Sequence, residues 1–252
     1  MPHAQVKPKA KSEPSIIQAF IDFAVTWFEQ RNYTLTVDTD MAAWVDVLSN
    51  APSISVITPS HDPRCNALPP SANFWLDIRA GSQTIATSAA RLFVTDDILT
   101  LMRSRKLWRD RPASDAGELA ITPPPDLPNI AGRVGLEGGL WIHPDHRKRG
   151  LSVMLPHLNR ALCRRQWQVD WQIGITLRSL GESGMAYWAY GFPHGTRFFE
   201  GISPITEAYD HLYLVYMDAA ELVGGLDLDA VARLLPNSHQ KSVNAMASVH
   251  KR

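Results

Sequence analysis

The sequence is poor in cysteine and has no long apolar run. It contains two cysteines, Cys65 and Cys163, in 252 residues. That is too few for a disulfide framework, so the sequence predicts a reduced, intracellular protein. No apolar stretch approaches the ~20 residues of a bilayer-spanning helix, and residues 1–14 lack the apolar centre of a signal peptide. We therefore expect a cytoplasmic protein with no membrane partner.

The sequence also has no net charge. Its 25 basic residues balance its 25 acidic residues, so the molecule as a whole has no positive field to attract a polyanion. Nucleic acid is therefore not an expected partner. A P-loop is excluded because no Gly-Lys-Ser/Thr sequence occurs. The hydrophobic fraction of 45% suits one folded domain with extensions.

What the sequence does contain is a local basic turn between an apolar run and an amphipathic run. Residues 136–142 are largely apolar, Pro144 follows, and three cations at 147–149 precede Gly150. This order predicts a strand, a tight turn and the start of a helix. A helix start offers unpaired backbone N–H groups and the positive end of the helix dipole, which together bind phosphate. The pattern therefore predicts a site for the diphosphate of a nucleotide or coenzyme.

Two motifs resemble those of the GCN5-related N-acetyltransferases (GNAT). Residues 147–152, after Ile142-His143-Pro144, resemble the family's acetyl-coenzyme A motif, which is Arg or Gln, two residues, Gly, one residue, then Gly or Ala. Residues 187–192 resemble its Tyr-x-x-x-Gly-Phe signature. The chain departs from the family at Ser152, where Gly or Ala is usual, and at Leu180, where Asn is frequent.

The resemblance implies an α/β fold with a mixed, mostly antiparallel central sheet flanked by helices. We expect an N-terminal region, 1–31, with a tail and an extension helix over 16–30 capped by Ser15. The acyltransferase domain spans 32–217 with a long insertion at 96–133, and a closing helix and tail occupy 218–252. Within the insertion a helix over 98–108 precedes a loop. The helix after the motif should turn a leucine stripe inward and Arg160, Arg164 and Arg165 outward.

The activity that the resemblance implies is transfer of an acetyl group from acetyl-coenzyme A to an amine by direct attack in a ternary complex, with no metal. In such a site the backbone of the strand before the motif holds the pantetheine arm, and the motif holds the pyrophosphate. The implied coenzyme-binding residues are Leu140, Trp141, Ile142, Arg147, Lys148, Arg149, Gly150, Leu151 and Ser152.

Two residues are candidates for general acid–base catalysis. Tyr187, in the second signature, could protonate the departing thiolate, since a tyrosine hydroxyl has a pKa near ~10. The alternative is an aromatic core residue. Glu137, on the strand before the motif, could take the proton of the amine, and the alternative is a solvated or ion-paired glutamate. Glycines at 135, 138 and 139 would let a substrate approach this strand.

For several other residues a structural role fits the sequence better than a functional one. His143 and His146 are more simply turn residues near phosphate than metal ligands, and Cys163 fits a helix core. Trp108 lies among Arg103, Arg105, Arg109 and Arg111. That cluster fits a solvated helix face better than an acceptor site.

Two alternative functions remain open. One is an acyltransferase that uses a longer thioester, such as an acyl-homoserine lactone synthase-like enzyme. The other is a coenzyme-binding or protein-interaction module without catalysis, which Ser152 and Leu180 favour. The acceptor could be a small-molecule or peptide amine, and the terminal helices could pair two subunits as a homodimer.

Overall fold

The computed structural model describes residues 12–54 and 56–236. In this part of the chain the helices are α1 Glu13–Glu29, α2 Met41–Ser49, α3 Ile98–Arg103, α4 Leu151–Trp167, α5 Arg178–Glu182, α6 Met185–Trp188, α7 Ala219–Gly224 and α8 Leu228–Leu234. The strands are β1 Tyr33–Asp38, β2 Asn73–Ala80, β3 Gln83–Thr95, β4 Gly132–Ile142, β5 Trp171–Leu177, β6 His194–Ile202 and β7 Tyr209–Asp218. Short 3₁₀ turns occupy Pro59–His61 and Pro144–His146.

The strands form one sheet in the order β1-β2-β3-β4-β5-β7-β6. Neighbouring strands are antiparallel except β4 and β5, which are parallel because α4 carries the chain from the end of one to the start of the other. This mixed, mostly antiparallel sheet with flanking helices confirms the predicted fold class.

The helices cover the two faces of the sheet unequally. Helices α1, α4, α7 and α8 share one apolar core on the first face, which we call the α4 face. Helix α2, the 3₁₀ turn at 59–61, helix α3 and the chain after α3 pack on the opposite face, which we call the far face. Side chains of alternate strand residues supply both cores.

Helix α1 begins earlier than predicted. It starts at Glu13 with Ser12 at the N-cap and Pro14 in its first turn, a position that tolerates the missing N–H of proline, so Ser15 is not its cap. Phe20 and Trp27 are buried in the same core as α4, which makes the helix part of the main packing. The predicted tails at 1–11 and 237–252 lie outside the described residues, and the domain boundaries stay a prediction.

Helix α4 confirms part of its prediction. Its leucines at 151, 155, 158 and 162 are buried as expected, and Cys163 is a core residue. The prediction for Arg160 was wrong, since this side chain is 0% exposed. Helix α4 is covered on both sides, by the sheet and by α1, α7 and α8. The face that an amphipathic pattern predicts to be exposed is therefore buried as well.

The insertion 96–133 is less helical than predicted. Helix α3 ends at Arg103, and the chain from 104 to 131 has no regular helix or strand, as expected for its proline-rich part. The segment packs on the far face, where Trp108, Leu119 and Ile130 are buried. Within the described residues, none of the helices has the length and apolarity that crossing a membrane requires.

Candidate active site

The sheet opens between its two parallel strands. β4 and β5 pair only from Val134 with Trp171 to Glu137 with Gly174. Beyond that point β4 continues alongside β3 to Ile142, while β5 continues alongside β7 to Leu177. The edge of β4 over residues 138–142 that faces β5 therefore pairs with no strand among the described residues. Thr87 donates to the carbonyl of Gly139 and Arg147 to that of Ile142, and the remaining N–H and C=O groups of this edge are available to a ligand.

A β-bulge at Gly139 accompanies the parting of the strands. The register between β3 and β4 shifts by one residue between Ala89, opposite Gly138, and Thr87, opposite Trp141. Gly139 has φ +60°, and an added Cβ would overlap the ring of Trp44. Only glycine satisfies both conditions, so the bulge is built into the sequence.

The glycines of β4 are covered by the chain's own side chains. An added Cβ at Gly138 would lie 2.9 Å from Cε1 of His61, and one at Gly135 would collide with the Gln172 amide. The space that a side chain would take at positions 135, 138 and 139 is therefore occupied, while Gly138 and Gly139 still line the cavity in the opening between β4 and β5. The approach of a substrate to this strand stays a prediction. Their small size admits packing partners from α2, the 3₁₀ turn and β5.

A cavity of about 270 Å³ fills the opening between the strands. On the α4 face its lining includes Pro156, Tyr190 and Phe192, whereas Trp108 and Ile205 line it on the far face. The cavity thus passes through the sheet where β4 and β5 part. The proline inside α4 is part of this wall.

Glu137 lies in the throat of the cavity, where pairing of β4 and β5 ends. Its Cγ lies near Gly174 and its Oε2 accepts a hydrogen bond from Gln172 Nε2 at 3.4 Å. Burial raises the pKa of the Glu137 carboxyl from 4.5 to about 7, although the positive charge of Arg160 and the Gln172 hydrogen bond oppose the rise. Near neutral pH this carboxyl can therefore both take up and release a proton.

Arg160 supports the throat from α4. Its guanidinium donates to the carbonyl of Gly191 at 3.3 Å and to the carbonyl of Tyr190, and it stacks on the ring of Phe192 at 4.9 Å. These contacts join α4 to the chain after α6, and they place a buried positive charge near Glu137. Burial also raises the pKa of Tyr190 to about 12.

His61 is a site residue that the sequence analysis missed. It is 1% exposed, lines the cavity, and lies against the ring of Trp44 with 6.0 Å between ring centroids. Its Nε2 donates to the carbonyl of Leu136 at 3.2 Å, and its Nδ1 has no hydrogen-bond partner among the described residues. The only sequence signal is a histidine next to Pro59 in a loop, which gives no hint of contact with β4.

The start of α4 has the features predicted for a diphosphate site. Gly150 caps the helix with φ +90°, and its carbonyl accepts from Val153 and Met154. Within the described part of the chain, no acceptor is found for the backbone N–H groups of residues 148–152. Arg147, Lys148 and Arg149 are exposed beside them. Unpaired amides, a helix dipole and three cations are therefore found together.

Side chains from both ends of the described chain pack against Gly150 on its Cα side. An added Cβ would lie 2.9 Å from Pro236, 3.0 Å from Leu235 and 3.1 Å from Trp27. A substitution at Gly150 would disturb the packing of both ends of the described chain, in addition to any effect on a ligand.

The histidines of the motif hold the turn together. His143 accepts a hydrogen bond from the N–H of Asp145 at 3.3 Å, and His146 Nδ1 is 3.0 Å from the hydroxyl of Tyr33. Arg149 also reaches that hydroxyl, at 3.5 Å. Burial and the charge of Arg149 lower the pKa of His146.

The residues predicted for the pantetheine arm flank the opening. Leu140 and Ile142 pack their side chains against the core of the α4 face, and Trp141 turns to the far face, where its indole donates to Pro52 at 3.0 Å. Their side chains are therefore occupied, so a ligand in the opening would meet the backbone of this segment.

Tyr187 is not brought together with Glu137. It is 42% exposed, and its hydroxyl donates to the carbonyl of Gly195 at 3.2 Å. Tyr190 and Leu180 line the cavity, and Tyr187 is not among its lining residues. The acid role of Tyr187 stays a prediction.

No model of a known protein family matches this sequence, and no curated protein matches it. Solved N-acetyltransferases are similar in structure. NAA60 of Arabidopsis thaliana in complex with acetyl-CoA is 13% identical, with 75% of this chain and 99% of that chain covered and a TM-score of 0.46. A chimera of the spermidine N-acetyltransferase SpeG from Vibrio cholerae and hSSAT is 8% identical, with 77% and 99% covered and a TM-score of 0.44. The aminoglycoside N(6')acetyltransferase of Legionella pneumophila is 12% identical, with 76% and 94% covered and a TM-score of 0.43.

Each identity is below 25% and each TM-score is below 0.5. Likeness at this level carries neither an activity nor a substrate over to this chain, whose function is inferred from its own site.

Proposed function

We propose that the protein is an N-acetyltransferase that moves an acetyl group from acetyl-coenzyme A to an amine within a ternary complex. The observation that supports this most strongly is the opening between β4 and β5 beyond Glu137 and Gly174. It connects the two faces of the sheet, so a coenzyme on the α4 face and an acceptor on the far face could meet inside it.

The start of α4 would bind the coenzyme's diphosphate. Backbone N–H groups of 149–152 are the proposed donors, with Arg147 and Lys148 adding positive charge. The β5-facing backbone edge of Leu140, Trp141 and Ile142 would pair with the amides of the pantetheine arm, as an added strand would. A thioester held this way would reach the cavity from its α4 side.

Glu137 is the proposed base. The amine attacks the thioester carbonyl carbon through its lone pair, the new C–N bond forms, and Glu137 takes the proton that the nitrogen loses. The C–S bond then breaks and its electron pair leaves on the thiolate sulfur. A carboxyl with a pKa of about 7 suits a base that works near neutral pH.

Tyr187 is the proposed acid for the thiolate, on the ground of its place in the second signature. In the structure its hydroxyl bonds the Gly195 carbonyl instead. The role requires the hydroxyl to turn toward the cavity when the coenzyme is bound. Tyr190, which already lines the cavity, is the competing donor.

The test begins with binding. Acetyl-coenzyme A is titrated into the protein by calorimetry, and thiol release is then followed with a panel of amines. Binding followed by thiol release that depends on the amine supports the proposal. Binding without turnover indicates a coenzyme-binding module that has lost catalysis, and no binding up to millimolar coenzyme rejects both.

A matched pair of variants at Ser152 tests the placement of the diphosphate. Ser152→Asp puts a carboxylate among the N–H groups of the first helical turn, a position where acidic residues are normally compatible with a helix. We expect the affinity for the coenzyme to fall at least ~100-fold, because the introduced carboxylate and the diphosphate are both negative and compete for the same N–H donors. Ser152→Asn has nearly the same size without the charge and should bind within a few-fold of the parent. Equal affinity of both variants would reject the site.

A further inference from the structure

The far-face wall of the cavity is predominantly apolar, and its polar lining residues Thr58, Ser60 and His61 carry no carboxyl group. It is formed by α2, Ile54, residues 56–61, the insertion, β5 and the loop between β6 and β7, and its apolar side chains are Leu48, Ile54, Val56, Trp108, Leu177 and Ile205. Of the described residues that line the cavity, Glu137 alone carries a carboxyl group, and its side chain faces α4. The wall therefore has no anion to hold a cationic acceptor.

This wall is fixed by buried polar contacts. Arg91 of β3 donates to the carbonyl of Ser60 at 3.0 Å and to Asp110 at 2.9 Å. Asn66 donates to the carbonyl of Trp108 at 3.1 Å and to that of Pro59 at 2.5 Å. The 3₁₀ turn and the insertion are thus tied to the sheet and to each other, so the wall has a definite shape.

One buried polar atom on the wall, His61 Nδ1, has no hydrogen-bond partner among the described residues. A carbonyl oxygen can only accept, so the hydrogen bond to Leu136 puts the ring proton of His61 on Nε2 and leaves a lone pair on Nδ1. Burial lowers the pKa of His61 to about 4, so the ring is neutral at pH 7. A buried acceptor left unsatisfied is unfavourable until a ligand supplies a donor.

We infer that the acceptor is a small monoamine on an apolar body, and that its amino group donates a hydrogen bond to His61 Nδ1. This inference rests on the proposed transferase function and specifies its substrate class. The apolar body would pack against Trp108, Val56 and Ile205, and the nitrogen would point to the throat. His61 would bind and orient the amine, while Glu137, on the other side of the throat, would take its proton.

The same wall disfavours polycations. Spermidine or an aminoglycoside would bring additional ammonium groups against apolar side chains, where an unpaired charge is strongly unfavourable. A single carboxyl in the throat can pair with one ammonium at most. The cavity should therefore discriminate by charge number as well as by shape.

A substrate panel tests the class. With saturating acetyl-coenzyme A, thiol release is measured for 2-phenylethylamine, hexylamine, spermidine and kanamycin. We expect kcat/KM for the two monoamines to exceed that for the polycations at least ~10-fold. The same amines are titrated calorimetrically into the protein, with and without coenzyme A, so that the preference is measured even where turnover fails. Equal or better performance of spermidine or kanamycin in these assays overturns the inference.

Variants at His61 test the recognition group. In His61→Gln the side-chain amide nitrogen can replace Nε2 as the donor to Leu136, but the acceptor at Nδ1 is lost. In His61→Asn the side-chain oxygen lies near the position of Nδ1 and can act as the acceptor. We expect His61→Gln to raise KM for the monoamine about tenfold, as loss of one buried hydrogen bond does, and His61→Asn to recover part of it. An unchanged KM in His61→Gln would show that His61 does not bind the monoamine.

A control histidine separates recognition from general damage. His211 also has a buried Nδ1 without a partner among the described residues, and it is not a lining residue of the cavity. His211→Gln should leave the KM for the monoamine unchanged. Coenzyme affinity is measured for every variant. If the parent fails to bind coenzyme, the proposed function fails, whereas coenzyme binding with a preference for polycations refutes the substrate class alone.

Discussion

Replacing Glu137 by Gln should stabilise the protein at alkaline pH while it removes the base. The carboxyl of Glu137 has a pKa raised from 4.5 to about 7 because burial disfavours its charged form. A carboxyl with a raised folded-state pKa stabilises the fold only while it is protonated, so its contribution is complete below pH 4.5 and is lost as pH rises through about 7. Gln resembles the protonated carboxyl and does not ionise.

The size of the effect follows from the pKa difference. A rise from 4.5 to about 7 corresponds to about 3 kcal/mol of stability lost at high pH. The free energy of unfolding of Glu137→Gln minus that of the parent should therefore increase by about 2.5 kcal/mol between pH 5 and pH 8.5. Other titrating groups are the same in both proteins and largely cancel in this difference.

Urea denaturation of the two proteins at both pH values measures this quantity, with Glu118→Gln as the control. Glu118 is exposed, so its substitution should give a difference that changes by less than about 0.5 kcal/mol with pH. In parallel, kcat/KM of the parent should rise with pH through about 7, and this rise should be absent in Glu137→Gln, with a rate at pH 8 at least ~100-fold lower.

Two results would refute the reasoning in different places. A stability difference that does not depend on pH would mean that the carboxyl is not desolvated in the throat. A pH-dependent stability difference with an unchanged rate would confirm the burial and remove Glu137 from the base role, leaving a water chain to take the proton.

Three further predictions concern the same site. Tyr187→Phe should lower kcat while leaving coenzyme affinity, measured by calorimetry, near that of the parent; if Tyr190→Phe lowers kcat and Tyr187→Phe does not, the acid is Tyr190. Gly139→Ala should lower the free energy of unfolding by at least ~2 kcal/mol in urea denaturation, because φ +60° and the adjacent indole both reject a Cβ; a wild-type midpoint would contradict the bulge. Arg160→Gln should move the midpoint of the pH–rate profile above 7, because the Arg160 charge holds the pKa of Glu137 down; a midpoint that stays or falls would show that the two groups are not coupled.

The parts of the fold that the sequence predicts are those set by local patterns. The strand before the motif and the leucine stripe of α4 both agree with the structure. Each depends on the spacing of apolar residues within a short segment. The unpaired amides at 148–152 belong to the same class, since they follow from a helix start after a glycine.

The parts that the sequence does not predict depend on contacts between distant segments. Arg160 has the spacing of a solvated residue and is buried, because carbonyls at Tyr190 and Gly191 receive its guanidinium. Trp108 fits a helix face and instead lines the cavity, and His61 reaches β4 from a segment with no regular period. No local pattern encodes which carbonyl a buried cation or histidine will meet.

The bulge in β4 lies where two faces of different chemistry meet. Gly138 and Gly139 both face His61 and Trp44, so two successive residues point to the same face where regular pleating would alternate them. Glu137 precedes the bulge and lies on the α4 face with Arg160, whereas the far face contributes a neutral histidine and apolar side chains. An amine that crosses from the far face to the throat would leave an environment without charge and meet its first carboxyl at the point where the strands part. The neutral form of the amine is the one that attacks, and an apolar path to the throat favours that form. The nitrogen must lose a proton once the C–N bond forms, and Glu137 lies at the end of this path to take it.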